Sequence, residues 1–368
     1  MTAERAPVSC GPSPRPIHHS ESPEAGAGTA SAAGHALTRR AAAGVFGAAA
    51  LARWRPARAQ APLSVIAFQG ASNWPMWVGL ERGYFAEQGL AVTLAITPNS
   101  VELARGLYDG RHQVALTAVD NVVAYAEGQG EAQLPGPADF FAFMGIDDGV
   151  LTLMAERGIE SVSGLRGRGP FAVDALTTGY AFALREMLRR AGVPDEEAPF
   201  QRVGGHALRL AALREGRTRA TLLTTPLDFM AEADGFRPLA RVAESLGAYA
   251  GVTGNARRAW AAENRDTLIR FIRAWRRSVD WIVAPENRGK AVALFRTRLG
   301  GNLDPAVTER ATAVLLDPKR GIRRDLSIDP AGFETVLRLR SEQAEPRRSL
   351  RDPSRYLDLS FLEAAARG

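Results

Sequence analysis

Ser64-Val65-Ile66-Ala67-Phe68, Ala91-Val92-Thr93-Leu94-Ala95-Ile96 and Val114-Ala115-Leu116-Thr117 decide the fold. Each is a short apolar run rich in β-branched residues and bounded by turn formers, which marks a buried strand. Between the first two lies a helical stretch at 75–83 closed by glycine, with a further turn at 84–89. Between the second and third, Ser100 stands as the N-cap of a helix at 101–108 that Asp109-Gly110 ends. A third helix runs from Asp120 or Asn121 to about Glu127. This alternation predicts an α/β fold, with a mostly parallel sheet covered by helices on both faces.

Working outward, strands at 140–145 and 150–155 follow, and the Gly-rich segment 161–169 interrupts the pattern. A second series then begins: strand 171–173, helix 178–191, strand 200–203, helix 206–215, strand 220–223 and helix 226–233. A strand-like run at 248–253 returns the chain to the first series. Asp266 is read as the cap of a helix whose apolar positions Leu268, Phe271, Ile272, Trp275, Val279, Ile282 and Val283 recur every three or four residues. Further helices are expected at 287–299, 304–316 and 329–342. The predicted organisation is two lobes: 60–158 plus 246–368 form a discontinuous lobe 1 ending in a helical tail, and 159–245 form lobe 2. The length of 368 residues agrees, because a single core stops growing at about 250–300.

The formal charge of +6 is unevenly spread. Residues 1–59 hold seven Arg and three Glu, giving +4, which leaves 39 basic and 37 acidic side chains, or +2, for the rest. A nearly neutral body without a clustered basic patch is not a nucleic-acid binder. Residues 1–37, rich in Pro, Ser, Gly and Ala, read as a disordered extension. Residues 38–59 read as an export signal. Arg39-Arg40 precedes a short apolar run at 41–52, and Ala57-Arg58-Ala59 offers an A-x-A cleavage site. The paired arginines before a weakly hydrophobic run give the signal a twin-arginine character and predict a periplasmic protein. The lead before Arg39 is long for such a signal, which leaves the start codon open. Cys10 is the sole cysteine and lies in the leader, so the mature chain has no disulfide, thiolate nucleophile or Cys-ligated metal.

A set of phrases then falls into order: Glu81-Arg82-Gly83-Tyr84-Phe85-Ala86-Glu87-Gln88-Gly89-Leu90-Ala91-Val92, Leu107-Tyr108-Asp109-Gly110-Arg111-His112-Gln113-Val114-Ala115, Ser163-Gly164-Leu165-Arg166-Gly167 and Trp260-Ala261-Ala262-Glu263-Asn264. The chain resembles the substrate-binding proteins of nitrate, sulfonate, taurine and thiamine-pyrimidine ABC importers, the SsuA/THI5-like (NMT1-like) family. The resemblance implies a type II periplasmic-binding-protein fold, two α/β lobes joined by a hinge with the ligand between them. It also implies an ABC permease and ATPase in the inner membrane as partners, a monomer, no cofactor and no metal.

In open α/β sheets ligands bind beyond the carboxyl ends of the strands, where helix N-termini expose unpaired N–H groups. In the first lobe that rule selects Gln69, Ser72, Asn73, Trp74, Asn99, Ser100, Asp120 and Asn121. In the second it selects Asp174, Thr177, Thr178, Tyr180, His206, Thr225 and Asp228. Trp74 and Tyr180 offer flat apolar faces and the rest hydrogen bonds, a mixture suited to a small molecule. For Trp74 and Tyr180 the plain alternative is core packing, and for Asn121 and Thr178 it is N-capping. Asp120, Asp174 and Asp228 fall at loop ends while no Arg or Lys does. That predicts a neutral, zwitterionic or cationic ligand, unless these carboxylates merely cap helices or face solvent. A small organic nitrogen- or sulfur-containing molecule fits, and its identity stays open. An enzyme on this scaffold is disfavoured, since nucleophile-elbow, His-Glu-x-x-His and Walker motifs are absent. A sensory, ligand-presenting protein remains the alternative.

Overall fold

Strand β1 (Ala61–Phe68) lies parallel between β2 (Leu90–Thr97) and β3 (Val114–Ala118) in the computed structural model, which describes residues 60–367. Helices α1 (Trp74–Glu81) and α2 (Tyr84–Glu87) link the first pair, α3 (Ser100–Tyr108) links β2 to β3, and α4 (Val119–Ala126) follows. After β4 (Phe140–Gly145) the chain leaves this sheet. A second sheet holds β5 (Leu151–Ala155), β6 (Phe171–Val173), β7 (Phe200–Arg202), β8 (Ala220–Thr224) and β9 (Arg237–Arg241), in the order β7-β6-β8-β5-β9. Its helices are α5 (Gly179–Arg190), α6 (His206–Arg214), α7 (Leu227–Ala233) and α8 (Val242–Leu246). The chain then returns as β10 (Val252–Arg257), antiparallel between β3 and β4, which makes the first sheet β2-β1-β3-β10-β4. Helices α9 (Arg258–Glu263), α10 (Arg265–Val283), α11 (Arg288–Arg298), α12 (Pro305–Leu315), α13 (Pro330–Gln343) and α14 (Ser360–Ala366) form the tail. This is the expected two-lobed α/β fold with a helical C-terminal region. The predicted extension at 1–37 and export signal at 38–59 lie outside the described residues.

Several local expectations shift. The strand at Leu151–Ala155, assigned from sequence to the first lobe, hydrogen-bonds to β8 and β9 in the second sheet. The lobes are therefore joined at 146–150 and 247–251. Asn99, not Ser100, caps α3: its side chain accepts from the Glu102 N–H at 2.9 Å. Asn264 occupies the cap position of α10, while Asp266 pairs with Arg270 at 2.9 Å. Strand β9 escapes the sequence rules because Arg237-Pro238-Leu239-Ala240-Arg241 is charged, half exposed and contains proline; it is an edge strand fixed by pairing with β5.

At the hinge the two connections touch. Ile146 N–H donates to Val252 O at 2.9 Å, and the Asp147 carboxylate accepts from Gly149 N–H at 2.9 Å and Val252 N–H at 3.2 Å. A methyl group on Gly251 would overlap Gly149 and Asp147, so glycine lets the strands meet here.

Candidate functional site

A cavity of about 60 Å³ lies between the lobes, at the carboxyl ends of β1, β3, β6 and β8. Lobe 1 contributes the loop after β1 (Phe68, Gln69, Gly70, Ser72, Asn73), the start of α4 (Asn121) and Val252. Lobe 2 contributes Asp174, the start of α5 (Thr178, Gly179, Tyr180) and the start of α6 (Gly205, His206, Arg209). Local chemistry sets each loop. Asn73 Nδ2 donates back to Phe68 O at 2.7 Å, and Ser72 Oγ donates to Asp147 at 2.6 Å, which ties the first loop to the hinge. Gly204 adopts a left-handed φ of 106°, where a side chain would strike Pro98 O. Gly205 N–H then donates to that carbonyl across the cleft at 2.8 Å.

The electrostatic centre is Arg209, whose side chain is fully buried. Its Nη2 donates to His206 Nδ1 at 2.7 Å, so that nitrogen is an acceptor and the ring is neutral. Burial first, and the Arg209 charge second, hold the His206 pKa well below 6.5. Burial lowers Arg209 to about 10, against the pull of Asp174 and Tyr180, so it stays a cation at neutral pH. Asp174 is pushed up by burial, and its hydrogen bonding with Ser100 opposes the shift. Arg209 Nε and the Tyr180 hydroxyl are buried and meet no hydrogen-bond partner among the described residues. Unsatisfied polar atoms of this kind are uncommon in a folded interior, and both residues belong to the cavity wall.

Of the residues selected from sequence, Gln69, Ser72, Asn73, Asn121, Asp174, Thr178, Tyr180 and His206 converge on this cavity. The others do not line it. Trp74 is wholly buried in the lobe 1 core; its indole N–H donates to Ala291 O at 3.1 Å and its ring packs on Phe295 at 4.8 Å. Asn99 is a cap, and the Ser100 backbone N–H donates to Asp174 at 3.1 Å. Asp228 accepts from Thr152, Thr225 and its neighbour Phe229 N–H, so Asp228 and Thr225 satisfy each other away from the cavity. The Asp120 carboxylate is taken by Arg340, and the Thr177 carbonyl accepts from the same guanidinium. Thr178 sits at the α5 cap position, but its hydroxyl donates to Ala175 O instead.

No Arg or Lys falls at the loop ends, yet the cavity wall includes a cation, Arg209. This residue is beyond the loop ends that the strand-end rule selects. It lies three residues after His206, one helical turn inside α6 and on the same face, a spacing that was available in the sequence. Among the described residues no group of three or more His, Cys, Asp or Glu side chains is arranged to hold a metal, and no helix is long and apolar enough to cross a membrane.

The family profile described as "NMT1/THI5 like" matches residues 72–288, more than half of the chain. The chain belongs to that family. No curated protein matches it in sequence. Solved structures show the fold of this NMT1/THI5-like protein. The periplasmic nitrate-binding protein NrtA from Synechocystis PCC 6803 aligns with a TM-score of 0.69 at 11% identity, covering 84% of this chain and 89% of that one. The ligand-binding component of an ABC-type import system from Staphylococcus aureus, with zinc bound, aligns at 0.65 and 14%, covering 84% and 100%. The alkanesulfonate-binding protein SsuA from Xanthomonas axonopodis pv. citri, bound to MOPS, aligns at 0.62 and 17%, covering 81% and 98%.

Proposed function

We propose that this NMT1/THI5-like chain is the extracytoplasmic solute-binding component of an ABC importer, a periplasmic monomer that captures a small molecule between its lobes and delivers it to a permease and ATPase. It binds its ligand and does not transform it. Family membership and the import roles named for its structural neighbours support this reading. Export by the twin-arginine route is part of the proposal and rests on Arg39-Arg40.

The observation that carries the binding site is Arg209, a buried cation in the wall of the inter-lobe cavity whose Nε has no hydrogen-bond partner among the described residues. With Asp120 engaged by Arg340, the charges left facing the cavity are Arg209 and Asp174. A cation and an anion on the lobe 2 wall favour a compact zwitterionic or polar ligand. Its acidic group would be drawn to the Arg209 guanidinium, and its donor group to Asp174. The small volume of the cavity, about 60 Å³, favours a compact ligand.

The test is a thermal-shift screen of taurine, small amino acids, nitrate, sulfate and neutral pyrimidines on the wild type and Arg209→Met. Stabilisation follows RT ln(1 + [L]/Kd). A selective shift with a compact zwitterion that vanishes in Arg209→Met is the expected outcome. A selective shift with a neutral pyrimidine, retained in Arg209→Met, contradicts it.

A further inference from the structure

Asp120 and Arg340 form a buried ion pair that joins three separate parts of the chain. Asp120 belongs to α4 of lobe 1, and Arg340 to α13 of the tail; their side chains are 2% and 0% exposed. Arg340 Nε and Nη2 donate to the two Asp120 oxygens at 2.7 and 2.6 Å. The same Nη2 donates at 2.6 Å to Thr177 O, which belongs to lobe 2. The guanidinium also lies over the Phe182 ring of α5 at 4.9 Å. Asp120 reaches the second lobe directly, because Gly179 N–H at the start of α5 donates to its Oδ2 at 2.5 Å. That approach depends on glycine, since a methyl group at 179 would overlap the Asp120 carboxyl.

A carboxylate from lobe 1 thus fills the N-terminus of a lobe 2 helix, where a negative charge is favoured. Helix α13 reinforces the connection. Gln343 Nε2 donates to Phe182 O at 3.2 Å, and Phe333, Val336 and Leu337 share one apolar cluster with Val123 of α4 and Phe182 of α5. Other bonds cross the cleft, including Leu176 N–H to Glu131 at 2.8 Å, but Glu131 is part exposed whereas the Asp120–Arg340 pair is dry.

We propose that the Asp120–Arg340 pair is an inter-lobe latch. Asp120 acts as a built-in anion at the N-terminus of α5, and α13 acts as a third strap beside the two hinge connections, so the lobes favour the closed form before ligand arrives. The inference rests on the solute-binding reading and extends it to how closure is set. Because α5 supplies Thr178, Gly179 and Tyr180 to the cavity, the latch also positions that wall. Its own carboxylate occupies the helix terminus, so an incoming acidic group is directed to Arg209.

The test measures inter-lobe distance by double electron–electron resonance in the ligand-free full chain, with spin labels on cysteines at the exposed positions Arg105 and Arg214 in a Cys10→Ser background. The key variant is Asp120→Asn with Arg340→Met, which removes both charges together and leaves no buried charge unpaired. Circular dichroism establishes that it is folded. The parent is expected to show a short-distance peak without ligand, and the double variant to lose it in favour of longer distances. A folded double variant that keeps the short peak, with only its melting temperature lowered, reduces the pair to packing and overturns the latch. So does a ligand-free parent with no short peak. Since no ligand is added, failure of the ligand screen and failure of the latch are separate results.

Discussion

At the scale of single residues, burial decides which side chains serve the site and which serve the fold. Trp74 opens the first helix after a strand, the position from which a ligand-stacking aromatic is expected, yet it is fully buried against Phe295. Trp74→Ala should therefore lower stability by about 3–5 kcal/mol in denaturant melts, with ligand affinity of the folded fraction unchanged. His206 gives a pH signature. Its folded pKa is depressed by burial and Arg209, so the unfolded chain binds its proton first as pH falls. The contribution is fully present above about pH 6.5 and is lost as pH drops below it toward the folded value. His112, also lowered by burial, adds a slope of the same sign, so the informative quantity is the difference between wild type and His206→Gln. Stability curves from pH 7 to 5 should be flatter in the variant; parallel curves would mean that His206 is not held neutral. The residues legible in sequence were those at strand ends, such as Asn73, Asp174 and Tyr180, because topology alone puts them there. Arg209 and Arg340 were not legible as site residues: one lies a turn inside its helix, and the other reaches Asp120 across 220 positions of sequence.

At the scale of elements, hydrophobic period and capping carried most of the fold. The strands at the start of the chain have apolar faces that admit one reading, and α10 shows its buried stripe of Leu268, Phe271, Ile272, Trp275 and Val279 directly. Two caps stand where an Asp precedes a proline. Asp304 accepts from Ala306 N–H at 2.8 Å and Val307 N–H at 3.3 Å, and Asp329 accepts from Gly332 N–H at 3.1 Å. Asp304→Ala should cost about 1 kcal/mol in chemical denaturation while leaving ligand affinity unaltered. A loss of affinity there would show that α12, ahead of α13 in the tail, also bears on closure. Strand β5 was misassigned for a physical reason. It follows β4 after only a short turn at Asp147-Asp148-Gly149, as a hairpin partner in the same sheet would, and only its antiparallel pairing with β8 and β9 reveals the crossing at 146–150. Pairing partners are not written in local sequence.

At the scale of the whole molecule, the two lobes meet over a small cavity whose lobe 2 wall carries a buried cation, a carboxylate and a neutral imidazole. The account's central claim is that this cavity holds a compact ligand through Arg209. Isothermal titration of wild type and Arg209→Met with the leading hit of the thermal-shift screen tests it most directly. The account predicts one site per chain in the wild type and a loss of at least about tenfold in affinity in Arg209→Met, since removing a charge-assisted hydrogen bond costs roughly 1.5–3 kcal/mol. Equal affinity in the two proteins, or saturation at more than one site per chain, would contradict it.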